Sequence, residues 1–313
     1  MLKSIVVLVA GAALGVAAPP APVIFDTDIG NDVDDCLALA ILHAFQSRGE
    51  VRIAAVTITK DNPWAPRLAS AINIFYGRPE IPIGVVHEGK TPDDGYLKKA
   101  LDAGHHKYED RARDAVTVLR QTLLSEKDGS VVIVQVGFST NLARLLDSPG
   151  GHDIVAQKVQ RLVMMAGDFT GGGPEYNVVT DIPAAQKVAR EWPTPVTWSG
   201  FEVGRTIHYP AASIERDFGP PGAHPVADAY RVYMKMPYDR ETWDLTAALY
   251  AVRPGDGYFT ASSEGTVSVD DRGMTAFTPG AGGRHRILSV DEAQRARIRE
   301  AFLWLCTQPP HAH

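Results

Sequence analysis

Short, continuously apolar segments alternate along the chain with longer segments whose apolar residues recur every three or four positions. The first kind is typical of fully buried strands, and the second of helices with one buried face. The pattern predicts strands at 23–25, 52–58, 81–86, 131–136, 161–165 and 196–199. It predicts helices at 34–45, 65–76, 111–125, 139–146, 182–191 and 290–305. This alternation favours an α/β fold with an open, doubly wound, mostly parallel sheet flanked by helices.

The pattern changes after about Gly255. Residues 258–277 carry Gly, Ser and Asp among alternating positions, and Asp271-Arg272-Gly273 is typical of a hairpin turn. We therefore expect a small β excursion near the C-terminus, before the last helix. Residues 88–110 are polar and lack a clear period, which is typical of a mobile loop or of a loop that covers a site. The length of 313 residues fits one large α/β domain or two small ones, and residues 19–313 are interpreted as a single domain.

The first 18 residues have the features of a secretory signal peptide. Lys3 gives a positive start, residues 5–18 are apolar, and Val16-Ala17-Ala18 is typical of a cleavage site. The apolar run is shorter than the roughly 20 residues that a membrane span needs. We predict a signal peptide at 1–18 and a periplasmic or secreted mature protein that makes no membrane contact. An uncleaved anchor is the alternative.

Charge and cysteine content narrow the function classes. The formal net charge is −6 and no run of Lys or Arg stands out, so a nucleic acid is not expected as a partner. The two cysteines, Cys36 and Cys306, could pair in an exported protein, but Cys36 lies in an apolar run that favours a buried thiol. Neither cysteine belongs to a zinc-binding pattern.

The strongest chemical signal is a cluster of five aspartates within residues 26–35, directly after a predicted strand and before a predicted helix. Carboxylates this close repel one another, and a bound cation offsets the repulsion. Carboxylate oxygens without Cys or His favour a hard ion such as Ca²⁺ or Mg²⁺. A solvated acidic turn whose Asp caps the helix is the competing interpretation. The spacing of Gly and Glu does not fit an EF-hand loop.

This cluster resembles the start of the nucleoside hydrolases, the inosine-uridine preferring and related N-ribohydrolases. The likeness rests on Asp-Thr-Asp-x-Gly followed by Asp-Asp and an apolar helix, and on later segments that together span residues 23 to 253. It implies an open, mostly parallel α/β fold and a tightly bound Ca²⁺. It also implies hydrolysis of the bond between ribose C1′ and a base.

The resemblance assigns roles within the aspartate cluster. Asp28 is similar to the metal ligand that also acts as the base toward the attacking water. Asp35 resembles the bidentate metal ligand, and Asp34 the neighbour that contacts a ribose hydroxyl. The commonest form of the family has two fewer residues before the Asp-Asp pair, so Asp32 could take the role assigned to Asp34.

Later segments resemble the family's ribose and metal contacts. Asn62 stands where the family has a ribose-contacting Asn, although an Asn-Pro turn explains it equally well. Thr140, in Gly-Phe-Ser-Thr-Asn, resembles the residue whose backbone carbonyl binds the metal; taken alone, the segment is typical of a helix cap. Glu175 and Asn177 match the acid and amide that hold the ribose hydroxyls, with a plain surface loop as the alternative.

Trp243-Asp244 is the last matching segment. Asp244 resembles the distal metal ligand, and Trp243 replaces the His of the less selective branch. A Trp at this position resembles the purine-preferring branch, in which the indole stacks on the base; a core aromatic residue is the alternative. With no His beside Asp244, the acid that protonates the leaving base is not identified.

The sequence therefore predicts a calcium-dependent hydrolase of ribonucleosides, with purines preferred, whose partner is the small-molecule nucleoside and which by resemblance forms homo-oligomers. Two other interpretations stay open. Asp26-Thr27-Asp28 is similar to the nucleophile and acid pair of haloacid dehalogenase-like phosphatases, although Gly30 departs from that pattern. The inserted residues and the missing His are compatible with an exported calcium-dependent protein that binds nucleosides or sugars without turnover.

Overall fold

The computed structural model describes residues 20–310. The predicted signal peptide, residues 1–18, lies outside the described residues. Within the described part, no helix is long and apolar enough to cross a membrane.

Buried apolar runs form the central strands, as the sequence pattern predicts. The strands, in chain order, are β1 Ala21–Thr27, β2 Val51–Lys60, β3 Ile83–Lys90, β4 Arg113–Asp114, β5 Val131–Gln135, β6 Val159–Met165, β7 Val196–Ser199, β8 His208–Tyr209, β9 Arg240–Glu241, β10 Thr260–Ala261, β11 Gly265–Val269, β12 Thr275–Pro279 and β13 His285–Ser289. Each residue of β5 is buried, as expected for a strand that is covered on both faces.

Helices follow most of these strands. They are α1 Asp34–Ser47, α2 Trp64–Phe75, α3 Leu97–Ala103, α4 Ala115–Ser125, α5 Thr140–Asp147, α6 Gly151–Lys158, α7 Tyr176–Thr180, α8 Ile182–Glu191, α9 Phe201–Gly204, α10 Ala211–Arg216, α11 Pro225–Tyr233, α12 Trp243–Val252 and α13 Glu292–Cys306.

One sheet of eleven strands organises the described residues, in the order β12-β11-β13-β7-β6-β5-β1-β2-β3-β4, with β10 paired to β13. Neighbouring strands from β4 to β7, and β7 with β13, run parallel. The chain winds outward from β1 through β2, β3 and β4, and then returns to the other side of β1 with β5. The strand order therefore reverses between β1 and β5, where open α/β sheets bind their ligands.

Two apolar clusters cover the two faces of this sheet. Val23 and Phe25 of β1 pack with the side chains of α1, α2, α11, α12 and α13. Ile24, which points to the opposite face, packs with those of α4, α5 and α8. The alternation along one strand shows how a continuous apolar run serves two cores. The fold class predicted from the sequence is confirmed.

The C-terminal excursion is confirmed, and it is part of the main sheet. β11 and β12 form an antiparallel hairpin whose turn holds Asp271-Arg272-Gly273, and Gly273 has a φ of 78°. Glycine is the residue that adopts this left-handed conformation without steric cost. β13 then adds to β7 in parallel, so the excursion extends the sheet.

Three segments differ from the sequence prediction. The helix predicted at 111–125 begins at Ala115, because Asp114 caps it by accepting a bond of 2.7 Å from Thr117 N. The segment 88–110, predicted as a loop, contains α3 and contributes to the wall of a cavity. The two cysteines, for which pairing was an open alternative, are free and buried.

Candidate active site

A cavity of about 610 Å³ opens beside the carboxyl ends of β1 and β5, where the strand order reverses. This volume is within the range of small-molecule sites. The N-termini of two of the longer helices reach the cavity, because α1 begins at Asp34 and α12 begins at Trp243. The backbone N–H of Asp244 donates to Asp34 Oδ2 at 3.0 Å, which joins the two helix starts. The partial positive charge of helix N-termini favours carboxylates at these positions.

The five clustered aspartates separate into three environments. Asp28, Asp34 and Asp35 line the cavity. Asp26 is buried away from it, where it accepts hydrogen bonds from Thr57 Oγ1 at 2.6 Å and Asn141 Nδ2 at 2.9 Å. Asp32 also lines the cavity, but it is paired with Arg240, whose Nε lies 2.9 Å from Asp32 Oδ1. The cluster that is continuous in sequence is therefore only partly a cavity wall.

Carboxylates from α1 and α12 meet at one point of this wall. Oxygens of Asp34, Asp35 and Asp244 lie within 4.8 Å of one another, and all three side chains are buried. Thr27 donates its hydroxyl hydrogen bond to Asp35 Oδ1. The other oxygen, Asp35 Oδ2, is buried and has no hydrogen-bond partner among residues 20–310.

Burial and mutual repulsion disfavour the charged forms of these groups. Burial, together with the neighbouring carboxylates, raises the pKa of Asp34, Asp35 and Asp244 well above its usual range. Burial also raises the pKa of Asp28 to about 6, although the hydrogen bond from Asn31 lowers it. A cation placed among the carboxylates would reverse this effect.

The donor set fits a hard divalent cation. It offers carboxylate oxygens and no thiolate or imidazole, and it includes the unpartnered Asp35 Oδ2. The nearby guanidinium of Arg240 is bonded to Asp32 and Glu241, so it does not neutralise the carboxylate group directly. Asp34, Asp35 and Asp244 are the carboxylates that lie close enough together to surround such an ion, and Asp28 lines the same cavity.

Glu175 and Asn177 lie where the sequence predicts, in the cavity wall. Glu175 caps the start of α7 and accepts hydrogen bonds from the backbone N–H groups of Asn177 at 2.8 Å and Gly167 at 3.0 Å. Burial raises the pKa of Glu175 to about 7 against these hydrogen bonds. Asn177 Nδ2 donates to the carbonyls of Val136 and Met165 at 2.8 and 3.1 Å. The amide is thereby fixed at the ends of β5 and β6.

The structure does not bring two of the predicted residues to the cavity wall. Asn62 Nδ2 donates to Pro92 O, Asp93 O and Asp94 Oδ1, so this side chain fastens the segment that follows β3. Thr140 lies in the first turn of α5, and its hydroxyl donates to Asp181. Thr140 does not line the cavity, and the metal contact predicted for its backbone carbonyl stays a prediction.

Val136 lines the cavity directly after β5, and sequence reasoning missed it. Its position after a buried strand was a usable signal, because ligands meet the carboxyl ends of parallel strands. The turn that follows is tightly packed. A Cβ on Gly137 would lie 2.6 Å from Asp28 N, so only glycine allows β5 to approach the Asp28 loop this closely.

An aromatic wall contributed by residues 201–243 faces the same cavity. Trp243 stacks on Phe201 with ring centroids 5.4 Å apart, and its Nε1 donates to Phe201 O at 3.0 Å. The Arg240 guanidinium lies 5.1 Å from the Trp243 ring centroid and 5.4 Å from that of Tyr233. The sequence identified Trp243 and missed Phe201 and Arg240, since no local pattern marks these two residues.

Comparisons of structure and sequence agree with this geometry. A plant nucleoside hydrolase has a similar fold, with a TM-score of 0.72 and 22% identity over 93% of this chain and 100% of that one. A purine-preferring ribonucleoside hydrolase from Gardnerella vaginalis has a TM-score of 0.72 and 20% identity over 91% and 98% of the two chains. An inosine-uridine preferring nucleoside hydrolase from Bacillus anthracis has a TM-score of 0.68 and 19% identity over 91% and 99%.

No curated protein has a sequence that matches this chain. The family model for inosine-uridine preferring nucleoside hydrolases, in contrast, matches residues 23–300. This range contains all the cavity-lining residues described above, from Asp28 to Asp244. The chain belongs to the inosine-uridine preferring nucleoside hydrolase family.

Proposed function

We propose that the protein hydrolyses ribonucleosides, with purines preferred, in a calcium-dependent reaction that gives ribose and the free base. Membership of the family supports a hydrolase that acts on N-glycosidic bonds. The observation that carries the finer proposal is one cavity with two different walls. Four buried aspartates and a group of aromatic side chains that fit a planar base line the same cavity.

Asp28 is the general base of the proposed reaction. Glycosidic bonds break through an oxocarbenium-like transition state, so positive charge grows on the ribose as the base departs. Water attacks C1′ as the bond to the base breaks, the water's proton passes to the Asp28 carboxylate, and the departing base takes up a proton from solvent. We call the four cavity-lining aspartates Asp28, Asp34, Asp35 and Asp244 the carboxylate wall. Of these, Asp28 accepts a hydrogen bond from a side-chain amide, since Asn31 Nδ2 donates to Asp28 Oδ2 at 2.8 Å.

Asp34, Glu175 and Asn177 hold the ribose in this proposal. All three line the cavity and are buried, so their hydrogen bonds to hydroxyl groups form with little competing water. Glu175 and Asn177 are already fixed by backbone contacts. Such fixed partners lose little entropy when the sugar binds, and they orient C1′ toward the attacking water.

Asp35 and Asp244 hold calcium in this proposal, with Asp28 as a further ligand and Asp34 adjacent. The carboxylate donor set and the unpartnered Asp35 Oδ2 support a hard cation there. A calcium ion so bound supplies positive charge that orients water and the ribose hydroxyls. The backbone carbonyl of Thr140, in the first turn of α5, is a further candidate ligand by resemblance, and its hydroxyl donates to Asp181.

Trp243 and Phe201 support the preference for purines. A purine offers a larger ring face than a pyrimidine, so stacking on this wall favours it. Among proteins of similar fold, one is described as purine-preferring and another as inosine-uridine preferring, so the fold itself does not decide the base. The aromatic wall of this chain is therefore the basis for the preference.

The test is release of free base from inosine, guanosine, adenosine, uridine and cytidine by residues 19–313. It is run with Ca²⁺, with Mg²⁺ and after treatment with a chelator. We expect base and reducing sugar in equal amounts, faster from purines, with activity lost to the chelator and restored by Ca²⁺. Saturable nucleoside binding without release of base would favour the binding protein instead. Equal rates of release for all five bases would contradict the purine preference but not the hydrolase activity.

Export of the protein is part of the proposal. Residues 1–18 have the charge and apolar pattern of a signal peptide. N-terminal sequencing of the protein isolated from its own cells should begin at residue 19. A sequence that begins at Met1 would contradict cleavage.

A further inference from the structure

Lys60 is a fully buried lysine that the reaction described above does not use. It is the last residue of β2, next to the strand that carries the Asp28 loop. A buried ammonium group costs several kcal/mol unless it is well hydrogen-bonded. The only carboxylate within ion-pair distance among the described residues is Asp93, at 3.3 Å, and its side chain is 70% exposed.

The closest partners of the ammonium group are neutral oxygens. Lys60 Nζ donates to Asn31 Oδ1 and to the carbonyl of Thr91, both at 2.8 Å. An apolar residue would avoid the desolvation cost at this position. Stability alone therefore does not account for a lysine here, and its contact with Asn31 points toward the site.

Contact with an ammonium group determines which way the Asn31 amide faces. An ammonium group only donates hydrogen bonds, so it requires the amide oxygen of Asn31 on its side. The amide nitrogen must then face away from Lys60. Asn31 Nδ2 in fact donates to Asp28 Oδ2 at 2.8 Å and to Thr91 Oγ1 at 3.3 Å. An amide without such a partner could turn over and present its oxygen to the carboxylate.

We propose that Lys60 is a positioning residue that orients the Asp28 carboxylate through Asn31. The proposal rests on the proposed function, in which Asp28 accepts the proton of the attacking water. Lys60, Asn31 and Asp28 form a relay in which each donor fixes the next acceptor. The hydrogen bond from Asn31 to one oxygen of Asp28 fixes the rotation of the carboxylate. The other oxygen is then oriented toward the attacking water.

Lys60 has a second contact that must be separated from the relay. Through Thr91 O it also fastens the segment after β3, which contributes Asp93 and Tyr96 to the cavity wall. Asn62 fastens the same segment and makes no hydrogen bond to Asn31 or Asp28. Loss of this fastening alone should weaken substrate binding and raise KM. Loss of the relay should lower kcat, because the base is misplaced after the substrate has bound.

The test compares steady-state kinetics of Lys60→Met, Asn31→Ala, their double variant and Asn62→Ala. We expect kcat to fall about 10- to 100-fold in each single relay variant, with KM within about threefold of the wild type. The double variant should be no worse than the more damaged single variant, because both break one relay. Lys90→Met, an exposed lysine on β3, is the neutral control.

Asn31→Asp is a sharper variant, because it leaves the buried Lys60 unchanged. Its result therefore does not depend on whether the Lys60→Met protein folds. Asn31→Asp keeps an oxygen acceptor for Lys60 and removes the donor to Asp28. The relay predicts a loss of kcat at least as large as in Asn31→Ala. Wild-type kcat in Asn31→Asp would overturn the relay, and so would losses that multiply in the double variant.

The result also separates this inference from the proposed function. A wild-type protein that releases no base contradicts the proposed function, and with it a catalytic purpose for the relay. If the wild-type protein releases base and the relay variants have the same kcat, the relay is contradicted and the proposed function is not. A rise in KM at unchanged kcat for Lys60→Met, matching Asn62→Ala, also overturns it and leaves Lys60 as a fastening of the cavity wall.

Discussion

The two walls of the cavity are built in different ways. Asp28, Asp34, Asp35 and Asp244 are each at most 5% exposed, and they stand at the end of a central strand or at the start of a long helix. The aromatic wall is half-buried, and residues such as Phe201 and Arg240 come from a four-residue helix and a two-residue strand. The carboxylate wall therefore belongs to the core of the fold, whereas the aromatic wall is built on the core only in part, through Trp243 at the start of α12.

Because of this difference, we expect the carboxylate wall to carry the chemical step and the aromatic wall to select the base. The carboxylate wall gathers like charges in a buried place, which lowers stability until a cation binds. The rigid frame of β1, α1 and α12 holds it in place. The aromatic wall contacts the base in the proposed reaction, and its short elements can change without disturbing the sheet. Variants of the first wall should therefore affect rate, and variants of the second should affect the choice of substrate.

The largest expected effect is at Asp28. Asp28→Asn keeps the shape of the side chain and removes the base, so kcat should fall by about 100- to 10,000-fold. Steady-state base release from the best substrate measures it. Asp153→Asn, a change at a side chain that is 94% exposed, should keep wild-type activity. A fall of less than tenfold in Asp28→Asn would remove Asp28 from the role of base.

Asp244→Asn should separate stability from activity. The substitution removes one of three mutually repelling buried carboxylates, so the metal-free protein should unfold at a higher temperature than the wild type. Activity should fall by about 100-fold or more, because the substitution removes one of the carboxylates that would bind the calcium ion. Thermal unfolding with and without Ca²⁺ measures the first effect. A lower Tm in the metal-free variant would contradict the repulsion.

The sequence predicted the carboxylate wall more completely than the aromatic wall. Asp28, Asp34, Asp35 and Asp244 were all identified, because strand ends, helix starts and a family motif mark them locally. Phe201 and Arg240 were missed, because they reach the cavity only through the tertiary packing of α9 and β9. The periodic pattern of apolar residues along the sequence does not predict that packing.

Two residues predicted at the strand ends, Asn62 and Thr140, do not line the cavity, and the reason is the same for both. Asn62 and Thr140 follow buried strands, as true site residues do, but a deviation of a few residues in a turn changes the direction of a side chain completely. Asn62 turns toward the segment after β3, and Thr140 enters α5. Val136 and Lys60 lie at those strand ends and contact the site or its network. The strands could be predicted, but their turns could not.

On the aromatic wall, Trp243→Ala should change selectivity more than rate. Loss of the stacking surface should lower kcat/KM for purine nucleosides about tenfold, which corresponds to about 1.4 kcal/mol. Pyrimidine nucleosides should lose less, since their smaller rings stack on less surface. Trp304→Ala, at a tryptophan that is 45% exposed outside the cavity, is the matched control. Equal losses for both classes would contradict stacking on Trp243.

The Asp32–Arg240 pair links the two walls, and its effect should be smaller. Arg240 bonds Asp32 through two nitrogens while it lies near the Trp243 ring. A double-mutant cycle with Asp32→Asn and Arg240→Met should give a coupling of about 1 kcal/mol in the free energy of unfolding. Denaturant titration of the four proteins measures it. Strict additivity would mean that the walls fold independently of this pair.

The smallest effect concerns the frame under the carboxylate wall. His43, on α1, bonds Asn73 Oδ1 at 2.9 Å and is fully buried, and burial lowers its pKa to about 3. The folded protein therefore keeps His43 neutral, while the unfolded chain binds a proton below about pH 6.5. Its contribution to stability is complete above pH 6.5 and is lost progressively as the pH falls toward 3.

Replacement of His43 should remove this part of the acid sensitivity. Between pH 6 and pH 4, the free energy of unfolding of His43→Gln should fall less steeply than that of the wild type, by about 1.4 kcal/mol per pH unit. Denaturant titrations at several pH values measure the slope. His152→Gln, at an imidazole that is 56% exposed, should keep the wild-type slope. Parallel slopes for His43→Gln and the wild type would show that His43 is protonated in the folded protein.

Release of free base and reducing sugar from inosine, measured together for the wild type and Asp28→Asn in Ca²⁺ and in chelator, tests the central claim most directly. The account predicts equal amounts of hypoxanthine and ribose from the wild type in Ca²⁺, and at least a 100-fold loss in the other three conditions. Undiminished turnover in chelator, or in Asp28→Asn, would contradict the assignment of the chemistry to the carboxylate wall.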